Sequence, residues 1–215
     1  MDFLSPELNA YVETHSQAED ALLQRINRET YAQVMMPRML SGQLQGRVLS
    51  MLCAMIKPKN ILEIGTYTGY SAICMAEHLV SGGQITTLDI NEELESRVRG
   101  YFKATGQEEK FNYIIGNALQ IIPTLSQTFD LVFIDADKEN YSNYYDLVID
   151  KVPVGGFIIA DNVLWSGKVV NFDPKKKDKD LEAILHFNNK VHEDKRVENV
   201  LFPIRDGLMV MRKIM

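Results

Sequence analysis

ILEIGTYTGYSA, residues 61–72, decides how this chain folds. ILEI reads as a buried strand, it runs straight into a turn carrying Gly65 and Gly69, and a helix follows. Strand, glycine turn and helix in that order bring backbone N–H groups and the positive end of a helix to one place, a cradle for a small ligand. The dinucleotide fingerprint G-x-G-x-x-G needs a middle glycine so that pyrophosphate can approach the backbone. Tyr67 stands in that position here. A nicotinamide cofactor, and with it an NAD-dependent dehydrogenase, is therefore disfavoured.

Outward from this stretch the same rhythm recurs. Short β-rich runs alternate with helix-length segments: ILEIG (61–65), QITTLDI (84–90), FNYIIG (111–116), FDLVFID (129–135) and GFIIAD (156–161). Such alternation implies a parallel sheet with helices on both faces. Gly82-Gly83, Gly106 and Pro153 with Gly155-Gly156 fall before strands, where helices must end. Residues 1–58 read instead as a helical cap, with segments after Pro6, from about Ala18 to Met35 and from about Leu44 to Ile56, closed by Pro58. After Asp161 come a basic loop, a helix from about Leu181 to His192, and two runs, RVENVLFPI and GLMVMRKI, separated by Arg205-Asp206. They predict a terminal antiparallel hairpin. One domain over residues 1–215, with the α/β core at 59–215, is the expectation for this length.

A composition of 46% hydrophobic and 24% charged residues suits a globular chain. The net charge of -6 gives no global field to draw in phosphate backbones or anionic lipid, so nucleic acid and membrane are not the default partners. No apolar run reaches the roughly 18–20 residues of a membrane span, and the N-terminus lacks the pattern of a signal peptide. Cytoplasmic location is the default expectation. Cys53 and Cys74 lie among apolar neighbours and read as buried free thiols, and the four histidines show no ligand spacing.

Asp89 closes the second strand run twenty-four positions after Gly65, about where an acid that grips ribose hydroxyls belongs. Glu63 adds a carboxylate near the end of the first. Ribose without pyrophosphate, together with positive charge, describes S-adenosylmethionine. Taken alone, Gly65 would merely turn the chain and Asp89 merely cap a helix. Their place in a full series of βα units favours the ligand.

FIDADKENY, residues 133–141, ends an apolar strand with Asp135, Asp137 and Lys138, and ADN (160–162) ends the next with Asp161 and Asn162. Ligands gather beyond the carboxyl ends of strands in a doubly wound sheet. Two carboxylates and an amide oxygen suit a hard cation, magnesium first, with manganese or calcium as the other oxygen-seeking ions. A lysine beside a dication has its ammonium form disfavoured, which suits Lys138 as general base. The plain alternative makes Asp135 a helix cap and Lys138 a surface charge. Three polar groups ending two apolar strands weigh against it.

MLSGQLQGR (39–47), LEIGTYTGYSA (62–72), TLDI (87–90), GNAL (116–119), DLVFIDADKENY (130–141), ADNVLWSG (160–167) and RDGLMVMRK (205–213) together resemble the cation-dependent class I S-adenosylmethionine O-methyltransferases of the catechol and caffeoyl-coenzyme A type. The resemblance implies a Rossmann-like, doubly wound seven-stranded sheet with the last strand antiparallel, and a homodimer. Carried over by motif, it places cofactor contacts on Ser41, Glu63, Gly65, Thr66, Ser71, Asp89, Ala118 and Asp137, with Met39, Tyr67 and Asp135 also at the cofactor. It places metal ligands on Asp135, Asp161 and Asn162, catalysis on Lys138 with Asp135, and the acceptor beside Trp165 and Ser166. The implied reaction methylates a hydroxyl of a catechol-like or caffeoyl-type small molecule. A hydroxylated nucleoside in tRNA is the alternative acceptor. Met209 stands where the catechol branch carries an acid, which favours the bacterial, caffeoyl-coenzyme A-like branch. Lys175, Lys176 and Lys177 read as a solvated loop rather than a site for acyl-coenzyme A phosphate. The helical cap either covers the acceptor or forms the dimer contact.

Overall fold

The computed structural model describes residues 4–172 and 177–215. Seven strands form one mixed sheet in the order β3-β2-β1-β4-β5-β7-β6. They are β1 Asn60–Ile64, β2 Gln84–Asp89, β3 Phe111–Ile115, β4 Leu131–Ile134, β5 Phe157–Asp161, β6 Val197–Phe202 and β7 Leu208–Lys213. β7 runs antiparallel to both β5 and β6, which is the terminal hairpin expected from the sequence. This is the Rossmann-like methyltransferase fold. Two compact units make it up, Leu4–Asn117 and Ala118–Met215.

In the first unit, β1 pairs parallel with β2 and β2 with β3, with Ile61 opposite Ile85 and Ile85 opposite Phe111. Helix α1 (Pro6–Thr14) starts at Ser5, whose hydroxyl accepts the Leu8 N–H. α2 (Ala21–Gln33) starts at Asp20, which accepts Leu23 N–H at 2.8 Å, and buries Leu23, Ile26 and Thr30 on one face. Such side-chain caps satisfy N–H groups that the helix leaves over. α3 (Gly42–Ile56) buries Gln45, Leu49 and Cys53 at four-residue spacing and stops at left-handed Lys57 before Pro58. It packs tightly on α4 (Tyr70–Ala76), every residue of which is buried. Gly46 permits that approach: a Cβ there would lie 2.8 Å from both Cys74 Sγ and Tyr70 Cε1. α5 (Glu95–Ala104) turns Val98, Tyr101 and Phe102 inward, and Phe102 stacks on Phe111 at 4.2 Å.

In the second unit, short α6 (Ala118–Ile121) precedes β4, whose four residues are all fully buried. A strand covered on both faces reads as a continuous apolar run, which is why LVFI was recognisable. β4 pairs parallel with β5. α7 (Tyr141–Val148) buries Tyr141, Tyr144, Tyr145 and Val148, and α8 (Lys179–Glu193) buries Leu181, Ile184, Phe187 and Val191. Phe187 meets the rings of Tyr141 and Tyr145 edge-on at 5.4 and 6.3 Å. Lys138 opens a 3-10 turn, Lys138–Asn140, and the α-helix starts only at Tyr141. Met209 pairs with Ala160 and is buried within the sheet. Of the basic loop, Lys175 and Lys176 lie outside the described residues. Among the described residues, no helix is long and apolar enough to cross a membrane.

Candidate active site

In the first unit the turn after β1 is built around two carboxylates. Gly65, with φ 101°, donates its N–H to Leu88 O at 2.9 Å, joining the turn to the end of β2. Tyr67 follows at φ 49°, and its N–H donates to Asp89 Oδ2 at 2.6 Å, while Asp89 Oδ1 accepts the Asn91 N–H at 2.8 Å. The acid therefore fixes the turn, and each of its oxygens keeps a lone pair for a further donor such as a ribose hydroxyl. Glu63 is fully buried. Its Oε1 accepts Ser71 Oγ at 2.5 Å and its Oε2 accepts the Thr87 hydroxyl, which also meets Thr66 Oγ1. Ser41 is buried at the entrance to α3, whereas Met39 is half exposed. Tyr67 reaches back to this segment: its hydroxyl lies 3.0 Å from Met35 O and 3.3 Å from Met36 O. An arrangement of acids and hydroxyls about a strand-to-helix turn fits a cofactor with ribose hydroxyls and a positive centre.

In the second unit Lys138 is the centre. Its Nζ lies 3.2 Å from Asp135 Oδ1, 2.9 Å from Asn162 Oδ1 and 2.5 Å from the Tyr141 hydroxyl. Three acceptors match the three N–H donors of an ammonium. The Lys138 side chain is only 9% exposed, so this satisfaction matters energetically. Asp161 is buried; its Oδ1 accepts the Asn162 N–H at 2.7 Å and its backbone carbonyl accepts the Tyr141 hydroxyl at 3.0 Å. Asn162 has φ 59°, a left-handed conformation that turns the chain directly after β5. Burial, reinforced by Asp135 and Asp161, raises the Tyr141 pKa well above that of a free phenol, so the hydroxyl keeps its proton.

The sequence-derived set is thus brought together in part. Asp135 and Asn162 share the Nζ of Lys138, and Asp161 adjoins through Asn162 and Tyr141. Asp137 turns elsewhere, with Oδ1 accepting the Tyr144 hydroxyl and Oδ2 the Asn140 amide, both at 2.5 Å. Ala118 is buried at the start of α6. Trp165 and Ser166 lie in the loop after β5 at φ 47° and 54°. Sequence reasoning missed Tyr141 and Asp206. Tyr141 stands inside the quoted FIDADKENY, three residues from Lys138, so its spacing was a usable signal; Asp206, forty residues from Ser166, offered none. Oxygens of an Asp and an Asn already converge on a positive charge, which is the chemistry a hard cation requires. Among the described residues there is no group of three or more His, Cys, Asp or Glu side chains suited to a metal.

The pattern of a family described as O-methyltransferase matches residues 13–214, nearly the whole chain. The chain belongs to that family. It is an enzyme of the class that moves a methyl group from S-adenosylmethionine to oxygen. Among its relatives, a caffeoyl-CoA O-methyltransferase of Medicago sativa is 36% identical over 180 residues, covering 79% of this chain and 73% of the relative. The SAH-bound methyltransferase PaMTH1 of Podospora anserina superposes with a TM-score of 0.89 at 28% identity over 100% of both chains. The O-methyltransferase of Bacillus cereus, in complex with SAH, gives 0.87 at 27% over 96% of this chain and 97% of that one.

Proposed function

We propose that this O-methyltransferase methylates one hydroxyl of a vicinal diphenol, of the catechol or caffeoyl type, with a divalent cation at Asp135, Asp161 and Asn162. The observation that carries the reading is the convergence of Asp135 Oδ1 and Asn162 Oδ1 on Lys138 Nζ. Magnesium, ahead of manganese or calcium, would when bound lower the pKa of a coordinated hydroxyl. Glu63, Asp89, Ser41 and Ser71 supply the polar contacts for S-adenosylmethionine, with Met39, Gly65, Thr66 and Tyr67 completing its surroundings.

Lys138 takes the proton. The acceptor O–H bond breaks, an O–CH3 bond forms as the sulfonium S–CH3 bond breaks, and the hydroxyl proton passes to Nζ. To accept it, the lysine must arrive as an amine, which donates two hydrogens and offers one lone pair. Two of the three acceptors around Nζ, drawn from Asp135, Tyr141 and Asn162, then hold the amine in place. A phenol, with a pKa of about 10, is a poor nucleophile until that proton has gone. Orientation of one hydroxyl toward the methyl supplies much of the remaining acceleration.

The test is incubation with methyl-labelled S-adenosylmethionine and a panel of catechol, caffeoyl-coenzyme A and a hydroxylated nucleoside, with magnesium or with chelator. Magnesium-dependent labelling of the diphenols is the expected result. Labelling that survives the chelator would refute the cation, and labelling of the nucleoside alone would refute the acceptor class. The homodimer implied by the resemblance belongs to the proposal, and the mass in solution against a 24.5 kDa chain checks it.

A further inference from the structure

The loop that follows β5 has an unusual backbone. Asn162, Trp165, Ser166 and Gly167 all have positive φ, at 59°, 54° for Ser166, 47° for Trp165 and 77° for Gly167. L side chains avoid this region, so a run of such residues persists only where its surroundings over-determine it. The surroundings are the turn between β6 and β7. Asp206 Oδ1 accepts the Ser166 N–H at 2.5 Å, Asp206 O accepts the Leu164 N–H at 2.9 Å, and Gly207 O accepts the Val163 N–H at 3.2 Å. Gly207 fits against the loop so closely that a Cβ on it would lie 2.5 Å from Leu164 Cγ. From α8, Asn188 Nδ2 donates to Val163 O at 2.9 Å.

We propose that Asp206 is a positioning residue: its carboxylate locks the loop in the left-handed shape that presents Asn162, Trp165 and Ser166 to the acceptor. The backbone contacts of the turn do not depend on the side chain at 206. The carboxylate contact does, and it falls on Ser166, the central residue of three consecutive left-handed ones. The same loop begins at Asn162, whose side chain is joined to Lys138 Nζ at 2.9 Å, so its shape reaches the proposed proton acceptor. The role in acceptor binding rests on the assignment of Trp165 and Ser166 to the acceptor.

Trp165 is the single tryptophan of the chain, so its emission reports this loop without interference. The experiment compares the full-length wild type with Asp206→Ala and Asp206→Asn, reading tryptophan emission and acrylamide quenching, the KM for caffeoyl-coenzyme A, and the Kd for S-adenosylmethionine. For Asp206→Ala we expect a red-shifted, more readily quenched emission and a KM raised about tenfold, equivalent to about 1.4 kcal/mol, with cofactor Kd within about twofold. Asp206→Asn, whose amide oxygen still accepts the Ser166 N–H, should stay near the wild type in both. Unchanged emission in Asp206→Ala overturns the lock, as does an Asn variant that behaves like the Ala variant. Shifted emission with unchanged KM overturns the positioning of the acceptor. Absence of wild-type turnover would refute the proposed acceptor alone, and the emission would still decide for or against the lock.

Discussion

Tyr141→Phe removes one oxygen from the centre of the second unit and leaves its packing in place. The phenylalanine ring keeps the edge-on contact with Phe187 and the face that lies 4.6 Å from Lys138 Nζ. What it loses is the hydroxyl that accepts from Lys138 at 2.5 Å and donates to Asp161 O at 3.0 Å, with Ile134 O at 3.3 Å. A hydrogen bond to a charged group contributes about 1.5–3 kcal/mol, and a neutral one about 1 kcal/mol. The variant should therefore lose about 3 kcal/mol, within the 5–15 kcal/mol that a native protein typically holds, and should still fold. Lys138 keeps only its contacts to Asp135 and Asn162 at 3.2 and 2.9 Å, so a looser amine should lower kcat by roughly 10- to 100-fold. The Kd for S-adenosylmethionine should not change. Urea unfolding at fixed m gives the stability, and steady-state transfer of labelled methyl gives kcat. A variant within about 0.5 kcal/mol of the wild type and with unaltered kcat would refute the claim that this hydroxyl holds the lysine.

Three further outcomes follow from other parts of the molecule. The Asp194 carboxylate is lowered from 3.8 to about 2 mainly by its hydrogen bond with Arg196, whose Nη2 lies 2.7 Å away, with the Tyr145 hydroxyl at 2.9 Å adding to it. A depressed folded-state pKa means stability present above about pH 4 and lost as pH falls toward 2. The stability advantage of the wild type over Asp194→Asn, about 1–2 kcal/mol near neutrality, should thus vanish across that window in denaturant titrations. A gap that stays constant to pH 2 would contradict the assignment. Burial pushes the thiols of Cys53 and Cys74 up to about 12, so the native enzyme should leave both unreacted with a disulfide reagent at pH 8 and expose both in guanidinium; rapid native labelling would disprove their burial. Gly69→Ala places a Cβ 2.9 Å from Phe102 Cε1 on a backbone at φ 76°, which should cost about 2–4 kcal/mol and lower the melting temperature by roughly 5–10 °C; a drop under about 2 °C would show that the turn can yield.

β4 and β5 were legible because burial on both faces writes them as apolar runs, and the hairpin because Arg205-Asp206 interrupts two strand-like runs. The acids at the strand ends were legible for the same reason: Asp135 follows Ile134, and Asp161 ends β5, each the first charge after a fully apolar run. What the pattern hides is direction. Asp137 stands two residues from Asp135, yet its carboxylate closes on Tyr144 and Asn140. A 3-10 turn at Lys138 in place of an α-helical start sets where Nζ can reach, and the two turn types share the same local composition. Asp206 was invisible for a different reason, since its partner is forty residues away and becomes its neighbour only through the antiparallel pairing of β7 with β5.

That pairing explains why the charge at FIDADKENY is tolerable. Two carboxylates close to two strand ends would repel unless each found donors, and the donors come from separate levels of the fold. Lys138, three residues along the chain, serves Asp135; the Asn162 backbone, bent left-handed, serves Asp161. Asn162 holds that bend because the loop it opens is fastened by the β6–β7 turn. Weakening the fastening should therefore disturb the lysine through Asn162 Oδ1 without touching any residue of β4. This separates the two variants already described: Tyr141→Phe acts on Lys138 from its own turn and should lower kcat, whereas Asp206→Ala acts from the far hairpin and should appear first in the KM of the acceptor.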